Sequence, residues 1–356
     1  MRCFEYRLQL MALSKERIYK PMFFSVVIPA YNAQKYLYEC LASLDVQSFQ
    51  DFEIIAVDDA STDDTPQILD TCATFMPRLS VVHNNCNKGV ATSRRVGFRM
   101  ARGRYITCLD ADDTFHPDLL ERVHQRALET NAEIISVGIA YGGTFDETDT
   151  ITPLQEGFYD QDEYAQVKAT MCSGLYNSLC SKVIARERLL ACITDEADFQ
   201  EAALGEDALQ LFPVIDCASS AAHIKDALYL YRPTDGSTMH SYKPSQAEDA
   251  AKLCECFRFY AHRWGGECPT IAKRTARKII FDLLMRLAEN EPERTRRLAE
   301  LEHIVQACSV QNADLSEPAS AVDRCAIALI KGLQNHHFAS VDRHACLLCR
   351  LRQLSR

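Results

Sequence analysis

The stretch YITCLDADD, residues 105–113, joins a short apolar run to three carboxylates that follow it within four positions. Similar runs rich in β-branched residues occur at residues 25–28, 53–57, 79–82 and 133–137. Between the runs lie stretches of helical length with apolar residues three and four positions apart, as in residues 36–44 and 119–127. This alternation predicts an α/β protein with a doubly wound, mostly parallel sheet flanked by helices.

Polar and acidic residues follow the predicted strands at one edge of that sheet. Tyr31 comes after the first strand, Asp58 and Asp59 after the second, and the polar residues 84–89 after the third. Ligands of doubly wound sheets bind at the carboxyl ends of the strands. We therefore expect these residues to converge on one site with the acidic turn at residues 110–113.

The acidic turn contains Asp110, Asp112 and Asp113, whose charges repel one another unless a cation or protons compensate them. A divalent ion, Mg²⁺ or Mn²⁺, that also carries a diphosphate is one solution, because both ions take oxygen ligands from carboxylates, phosphates and water. The alternative is a solvated acidic turn in which Asp113 or Thr114 caps the helix that follows. The turn alone leaves both interpretations open.

Three further side chains also have two interpretations. Asp59 is suited to accept an N–H from a nucleobase, or the acids of its turn favour the positive end of the next helix. Tyr31 either stacks on that base or is an ordinary half-buried tyrosine. Asp207, which follows Gly205 and Glu206, is a general base at the sheet edge or an acid of a first helical turn.

The order and spacing of these motifs resemble those of family 2 glycosyltransferases. The segments that carry the resemblance are VVIPAYN (26–32), VDDASTD (57–63), NKG (87–89), SRRVG (93–97) and GRYITCLDADD (103–113), the last with the family's DxD motif. After residue 140 only residues 177–183 and 205–207 resemble the family, and the resemblance does not extend beyond about residue 245. One departure is SRR at residues 93–95, where the family often has Ala-Arg-Asn, which puts local nucleotide contacts in doubt.

The resemblance implies a GT-A fold and an inverting transfer of one sugar from a nucleotide-diphosphate sugar to an acceptor hydroxyl. UDP is the commonest donor nucleotide in the family, and Mg²⁺ or Mn²⁺ is the implied cofactor. The implied acceptor is a carbohydrate or a lipid-linked sugar, in cell-surface polysaccharide or glycolipid assembly.

The resemblance also implies roles for individual residues. Asp207 would be the catalytic base that deprotonates the acceptor hydroxyl. The implied metal ligands are Asp112 and Asp113. The implied nucleotide-sugar-binding residues are Pro29, Tyr31, Asp59, Lys88, Asp110, Ala111 and Asp112.

Composition restricts the other classes of function. The net charge of −10 argues against a nucleic-acid partner, because such proteins usually present a basic face. A sugar nucleotidyltransferase is the alternative enzyme, but it needs a Gly-rich, basic loop after the first strand, and residues 29–32 read PAYN. A degenerate, non-catalytic GT-A binding module is the third alternative; it would lack the acids that this chain retains.

We predict four segments along the chain. They are a poorly ordered leader at residues 1–22, a nucleotide-sugar-binding half at 23–143, an acceptor-binding half at 144–245 and a helical C-terminal region at 246–356. No apolar stretch approaches the roughly 20 residues that span a bilayer. We therefore expect a cytoplasmic protein.

Basic residues in the C-terminal region suggest a surface contact. Arginines flank leucines between residues 343 and 356, and a second basic cluster lies at residues 273–278. Such a surface fits peripheral attachment to the inner face of an anionic membrane. The alternatives are a solvated helix face or the contact surface of a homodimer. Cys346 and Cys349 either bind a metal or lie together on an amphipathic helix.

Overall fold

The computed structural model describes residues 22–145, 149–193, 204–234, 243, 245–290, 293–308 and 321–334. The predicted leader lies outside these residues except for Met22, and so does the arginine-rich end of the chain with Cys346 and Cys349. The described residues form one sheet of ten strands with helices on both faces and a helical C-terminal region.

The first half of the sheet is parallel. Its strands are β1 (Phe24–Ala30), β2 (Phe52–Asp58), β3 (Leu79–His83) and β4 (Tyr105–Cys108), in the spatial order β3-β2-β1-β4. The helices that connect them are α1 (Leu37–Asp45), α2 (Thr65–Phe75) and α3 (Val90–Met100). Every residue of β1, β2 and β4 is buried, as expected for strands that helices cover on both faces. The predicted fold class is confirmed.

The second half of the chain extends the same sheet in the order β4-β9-β6-β10-β5. Its strands are β5 (Thr114–Phe115), β6 (Ile134–Tyr141), β7 (Asp149–Ile151), β8 (Gly157–Tyr159), β9 (Lys182–Ala185) and β10 (Ala221–Tyr231). Its helices are α4 (Leu119–Thr130), α5 (Tyr164–Cys172), α6 (Arg186–Cys192) and α7 (Glu206–Cys217). Strand β9 runs antiparallel to both β4 and β6, whereas β10 runs parallel to β6. Strands β7 to β10, which lie in the segment predicted to bind the acceptor, thus join the same sheet as β1 to β6, and the boundary at residue 144 stays a prediction.

Two apolar clusters pack on opposite faces of the sheet. Along β1, Val26 and Ile28 belong to one cluster and Val27 to the other, which follows the alternation of side chains in a strand. Helix α3 approaches β1 closely at Gly97, where a Cβ atom would lie 2.3 Å from Cγ1 of Val27. The absence of a side chain at Gly97 therefore sets how deeply α3 sits, and with it the depth of Arg94 one turn earlier.

The C-terminal region is helical, as predicted. Its helices are α8 (Gln246–Trp264), α9 (Cys268–Asn290), α10 (Arg294–Ala307) and α11 (Ala321–Gln334). Helix α8 packs on α7: the rings of Phe212 and Tyr260 stack with centroids 5.1 Å apart, and the indole of Trp264 donates to Asp216 at 2.9 Å. None of the described helices is long and apolar enough to cross a membrane.

Candidate active site

A pocket of about 170 Å³ opens where β1 and β2 end. Three of the predicted site residues, Pro29, Tyr31 and Asp59, line it, together with Ala30, Asn87, Gly89, Val90 and Ser93. The ring of Tyr31 is half exposed, whereas Asp59 is buried. The pocket therefore has an accessible aromatic face beside a buried acceptor group, which suits a planar, polar ligand such as a nucleobase.

Two residues with left-handed backbone shape the loops around this pocket. Asn32 and Ala60 have φ angles of 50° and 58°, and such values are uncommon for an alanine. The side chain of Asn32 accepts from the N–H of Thr62 at 2.9 Å, and its own N–H donates to Ser61 at 3.0 Å. The loops after β1 and β2 are thus tied together. The sequence motifs do not reveal this role of Asn32, although asparagine tolerates left-handed backbone better than most residues.

The Asp59 carboxylate holds the loop that follows β3. It accepts from the side chain of Asn84 at 2.8 Å, from the N–H of Lys88 at 3.0 Å and from the N–H of Gly89 at 2.8 Å. A carboxylate offers about four acceptor positions, so a nucleobase N–H would compete with this loop for Asp59. Lys88 contributes its backbone N–H here, and its side chain is exposed. Neighbouring Asp58 instead contacts His83 at 3.0 Å.

The acidic turn follows β4. Ala111 and Asp113 are buried, whereas Asp110 and Asp112 are partly exposed. Asp113 accepts from the hydroxyl of Tyr229 at 2.5 Å and from the N–H of Arg232 at 2.8 Å, which ties the turn to β10. Burial and the neighbouring Asp110 raise the pKa of Asp113 to about 8. Because both oxygens of Asp113 have protein partners, its role as a metal ligand stays a prediction.

Asp110 and Asp112 are the acids of this turn that a cation could reach. Burial and the charge of Asp110 raise the pKa of Asp112, a repulsion that a divalent ion would relieve. Within the described part of the chain, no group of three or more His, Cys, Asp or Glu side chains converges as a metal cage. Two partly exposed carboxylates are a donor set that Mg²⁺ or Mn²⁺ accepts when diphosphate oxygens and water supply the other ligands.

Arg94 connects the acidic turn to Asp207. Its guanidinium is buried, donates to Asp110 at 2.9 Å through Nη2, and donates to Asp207 through Nη1. Burial opposes the charge of Arg94, but Asp207 and Asp110 outweigh it and raise its pKa above the ordinary value. The two predicted sets of acids, distant in sequence, thus lie on either side of one cation.

Asp207 lies in the first turn of α7. The helix begins after Gly205, which has a φ of 77° and no room for a Cβ atom, since one would lie 2.5 Å from Cδ2 of Leu253. The second carboxylate oxygen of Asp207 accepts from the N–H of Leu179 at 3.0 Å. Burial and the charge of Asp207 raise the pKa of neighbouring Glu206 to about 7. Asp207 is therefore held from two sides at the sheet edge, where a general base was predicted.

The residues after β10 complete the surroundings of the acidic turn, and sequence analysis missed them. The hydroxyl of Thr234 lies 3.5 Å from Asp112. The guanidinium of Arg232 contacts Glu39 at 2.5 Å and lies over the ring of Tyr36. These contacts depend on the position of β10 beside β5, and no local sequence motif predicts that position.

Residues 25–186 match the sequence model of the family described as "Glycosyl transferase family 2". Glycosyltransferase GlyG of Streptococcus pneumoniae is 30% identical over 235 residues, which cover 64% of this chain and 77% of GlyG. The chain belongs to glycosyltransferase family 2. A second relative, the putative glycosyltransferase EpsH of Bacillus subtilis, is 28% identical over 65% of this chain and 67% of EpsH.

The fold of this family 2 glycosyltransferase is similar to that of residues 1–349 of TarS from S. aureus, solved in complex with UDP-GlcNAc. The TM-score is 0.62 with 19% sequence identity, over 91% of this chain and 90% of the TarS chain. The similarity confirms the GT-A type of fold. The match to the family model ends before α7, so Asp207 lies beyond it.

Proposed function

We propose that this glycosyltransferase moves one sugar from a UDP-sugar to an acceptor hydroxyl, with inversion at the anomeric carbon, in cell-surface polysaccharide or glycolipid assembly. The observation that carries the proposal is the pair of contacts that Arg94 makes with Asp110 and Asp207. A donor diphosphate beside Asp110 and a base at Asp207 would then share one site, which a single displacement requires.

In this proposal the uridine occupies the pocket after β1 and β2. Tyr31 stacks on the base, Pro29 forms the adjacent wall, and Asp59 offers its carboxylate to a base N–H. Because Asp59 already holds the loop of Lys88 and Gly89, a base that bonds to Asp59 would also adjust that loop. UDP-GlcNAc is the first donor to assay, since TarS was solved with it.

The diphosphate lies over the acidic turn. Asp110 and Asp112 are the residues that would hold Mg²⁺ or Mn²⁺, and when bound such an ion neutralises charge on the leaving diphosphate. Thr234 borders the same turn through its hydroxyl, 3.5 Å from Asp112, and Arg232 borders it through its N–H on Asp113. Asp113 ties the turn to β10 through the hydroxyl of Tyr229, and Ala111 is a buried residue of the same turn.

Asp207 takes the proton of the acceptor hydroxyl, whose oxygen attacks the anomeric carbon from the face opposite the diphosphate. Arg94 and the Leu179 N–H orient the carboxylate of Asp207. One base and one displacement give inversion, so no covalent sugar–enzyme intermediate is needed.

The experiment measures UDP release from UDP-GlcNAc with Mn²⁺. NMR identifies which anomer of the released sugar forms first, before the two anomers interconvert. We expect the wild-type protein to yield the β-anomer from the α-linked donor. Asp207→Asn should lower the rate at least roughly 100-fold while UDP still binds, and the exposed control Asp162→Asn should leave it unchanged. Release of the α-anomer, or full activity of Asp207→Asn, contradicts the proposal.

Membrane contact, the acceptor, cytoplasmic localisation and a homodimer stay predictions. Helix α9 presents Lys273, Arg274 and Lys278 as exposed side chains, which favours contact with anionic lipid. Sedimentation with phosphatidylglycerol vesicles tests the contact, with phosphatidylcholine vesicles as the control. Protein that stays in the supernatant with both kinds of vesicle contradicts it.

A further inference from the structure

Lys182, the first residue of β9, carries a buried amine that the proposed reaction leaves unused. It is 1% exposed, and its Nζ donates to the carbonyl of Ser178 and to Oγ of Ser181, each at 2.9 Å. The amine also lies 4.0 Å from the ring centroid of Tyr176. The hydrogen bonds of this buried amine thus go to uncharged oxygens of one short turn. Such an arrangement calls for a physical reason.

The carbonyl that Lys182 holds belongs to the peptide group between Ser178 and Leu179. The N–H of that same peptide group donates to Asp207 at 3.0 Å. A donor on the carbonyl polarises a peptide group and strengthens its N–H as a donor. Lys182 is therefore connected to Asp207 through one peptide plane.

The turn that carries this peptide is held rigidly. The N–H of Lys182 donates to the carbonyl of Leu179 at 3.0 Å, and Oγ of Ser181 donates to the carbonyl of Ser178 at 3.2 Å. The hydroxyl of Thr107 on β4 donates to the carbonyl of Lys182 at 3.0 Å. The peptide group is thus fixed to the central sheet. A substitution at Lys182 would therefore change the hydrogen bond that this peptide group donates to Asp207.

The titratable groups that face Lys182 are Tyr176, Cys180, His223 and Asp207. Burial raises the pKa of the Tyr176 phenol and of the Cys180 thiol, so both are neutral near pH 7. Burial and the charge of Lys182 lower the pKa of His223 to about 4. Burial lowers the pKa of Lys182 itself to about 7, and neighbouring Cys180 and Asp207 oppose that shift. Among these neighbours, Asp207 is therefore the carboxylate with which Lys182 interacts.

We propose that Lys182 is a positioning residue for Asp207. Its amine donates to the Ser178 carbonyl and thereby fixes and polarises the Ser178–Leu179 peptide, whose N–H orients one carboxylate oxygen of Asp207 while Arg94 orients the other. The inference rests on the proposed role of Asp207 as the base. It assigns a function to a buried lysine that touches neither the donor nor the acceptor.

The test compares Lys182→Met, which keeps most of the stem and removes the amine, with the exposed control Lys225→Met. Protein labelled with ¹⁵N-leucine reports the amide proton of Leu179, and UDP release from UDP-GlcNAc with Mn²⁺ reports the rate. We expect Lys182→Met to move the Leu179 amide resonance upfield and to lower kcat roughly 10- to 100-fold, as a misplaced catalytic group does. UDP affinity should not change, and Lys225→Met should alter none of the three readouts.

An unchanged Leu179 resonance, or an unchanged kcat beside it, overturns the proposal. If Lys182→Met does not fold, Ser181→Ala replaces it, because it removes a donor to the same carbonyl with little loss of volume. It should give a smaller upfield shift, and no shift overturns the proposal. Failure of the proposed function looks different: the wild-type protein would bind or release no UDP, while Lys182→Met would still move the Leu179 resonance.

Discussion

Arg94 donates to Asp207 from within the protein core, and the other terminal nitrogen of the same guanidinium lies 2.9 Å from Asp110. The arginine is buried, while the two carboxylates are each about a quarter exposed. One cation therefore spans the acids that we assign to the donor and to the base. This relationship requires α3, the acidic turn and α7 to meet, which they do at the carboxyl edge of the sheet.

Replacement of Arg94 by methionine should impair both folding and activity. It leaves two partly buried carboxylates without their shared cation, and breaking a buried pair costs about 3–5 kcal/mol. We expect a loss of that order in the free energy of unfolding, measured in urea, and loss of UDP release under conditions where the variant is folded. Arg99→Met, an exposed change on the same helix, is the control. An Arg94→Met variant as stable and active as the wild-type protein contradicts the account.

Removal of the Tyr31 ring should weaken nucleotide binding without loss of stability. The ring is half exposed, so Tyr31→Ala removes little core packing. Stacking of a base on an aromatic ring contributes about 1–3 kcal/mol, which corresponds to a fall in UDP affinity of roughly 5- to 150-fold. Calorimetry measures the affinity, with Tyr38→Ala, a similarly exposed tyrosine on α1, as the control. Equal losses in both variants, or none in either, would show that Tyr31 does not stack.

The stability of the ligand-free protein should fall as Glu206 ionises. Burial and Asp207 raise the pKa of Glu206 from 4.5 to about 7, so the folded protein binds its proton more tightly than the unfolded chain. This contribution is fully present below the unfolded pKa and is lost as the pH rises through about 7. The difference in melting temperature, Glu206→Gln minus wild type, should therefore increase as the pH rises from about 5 to 8. Glu255→Gln, an exposed change on α8, should show no such trend.

A methyl group at Gly97 should destabilise the contact between α3 and β1. The added Cβ would meet Cγ1 of Val27 at 2.3 Å, and overpacking of this kind costs about 1–3 kcal/mol. The double variant Gly97→Ala with Val27→Ala makes room and should recover part of that loss. Urea unfolding of the two single variants and the double variant measures the coupling. Strictly additive losses would show that the two side chains do not collide.

The strands and the convergence of polar residues could be predicted because both depend on local patterns. Continuous apolar runs such as residues 53–57 predict strands buried on both faces, and β2 is such a strand. The sequence pattern did not predict strands whose formation depends on pairing with another part of the chain. Residues 149–151 carry no strand pattern, yet they form β7, in which Asp149 pairs with Tyr141 of β6.

The contacts within the site could not be predicted from the sequence. Arg94 was recognised only as part of a departure from the family pattern, because its two partners lie on separate elements. Asp113 looked equivalent to Asp112 in the motif, yet β10 supplies Tyr229 and Arg232 to its two oxygens. Contacts of this kind follow from the tertiary arrangement, and no spacing along the chain encodes them.

The measurement that tests the central claim most directly is calorimetric titration of the wild-type protein and Asp112→Ala with UDP, with and without Mn²⁺. The account predicts that UDP binds to the wild-type protein more tightly with Mn²⁺, and that Asp112→Ala loses this dependence, since a carboxylate shared with the diphosphate is gone. Absence of UDP binding in the presence of Mn²⁺, or metal-dependent binding that Asp112→Ala retains in full, would contradict the assignment of the donor site to the acidic turn.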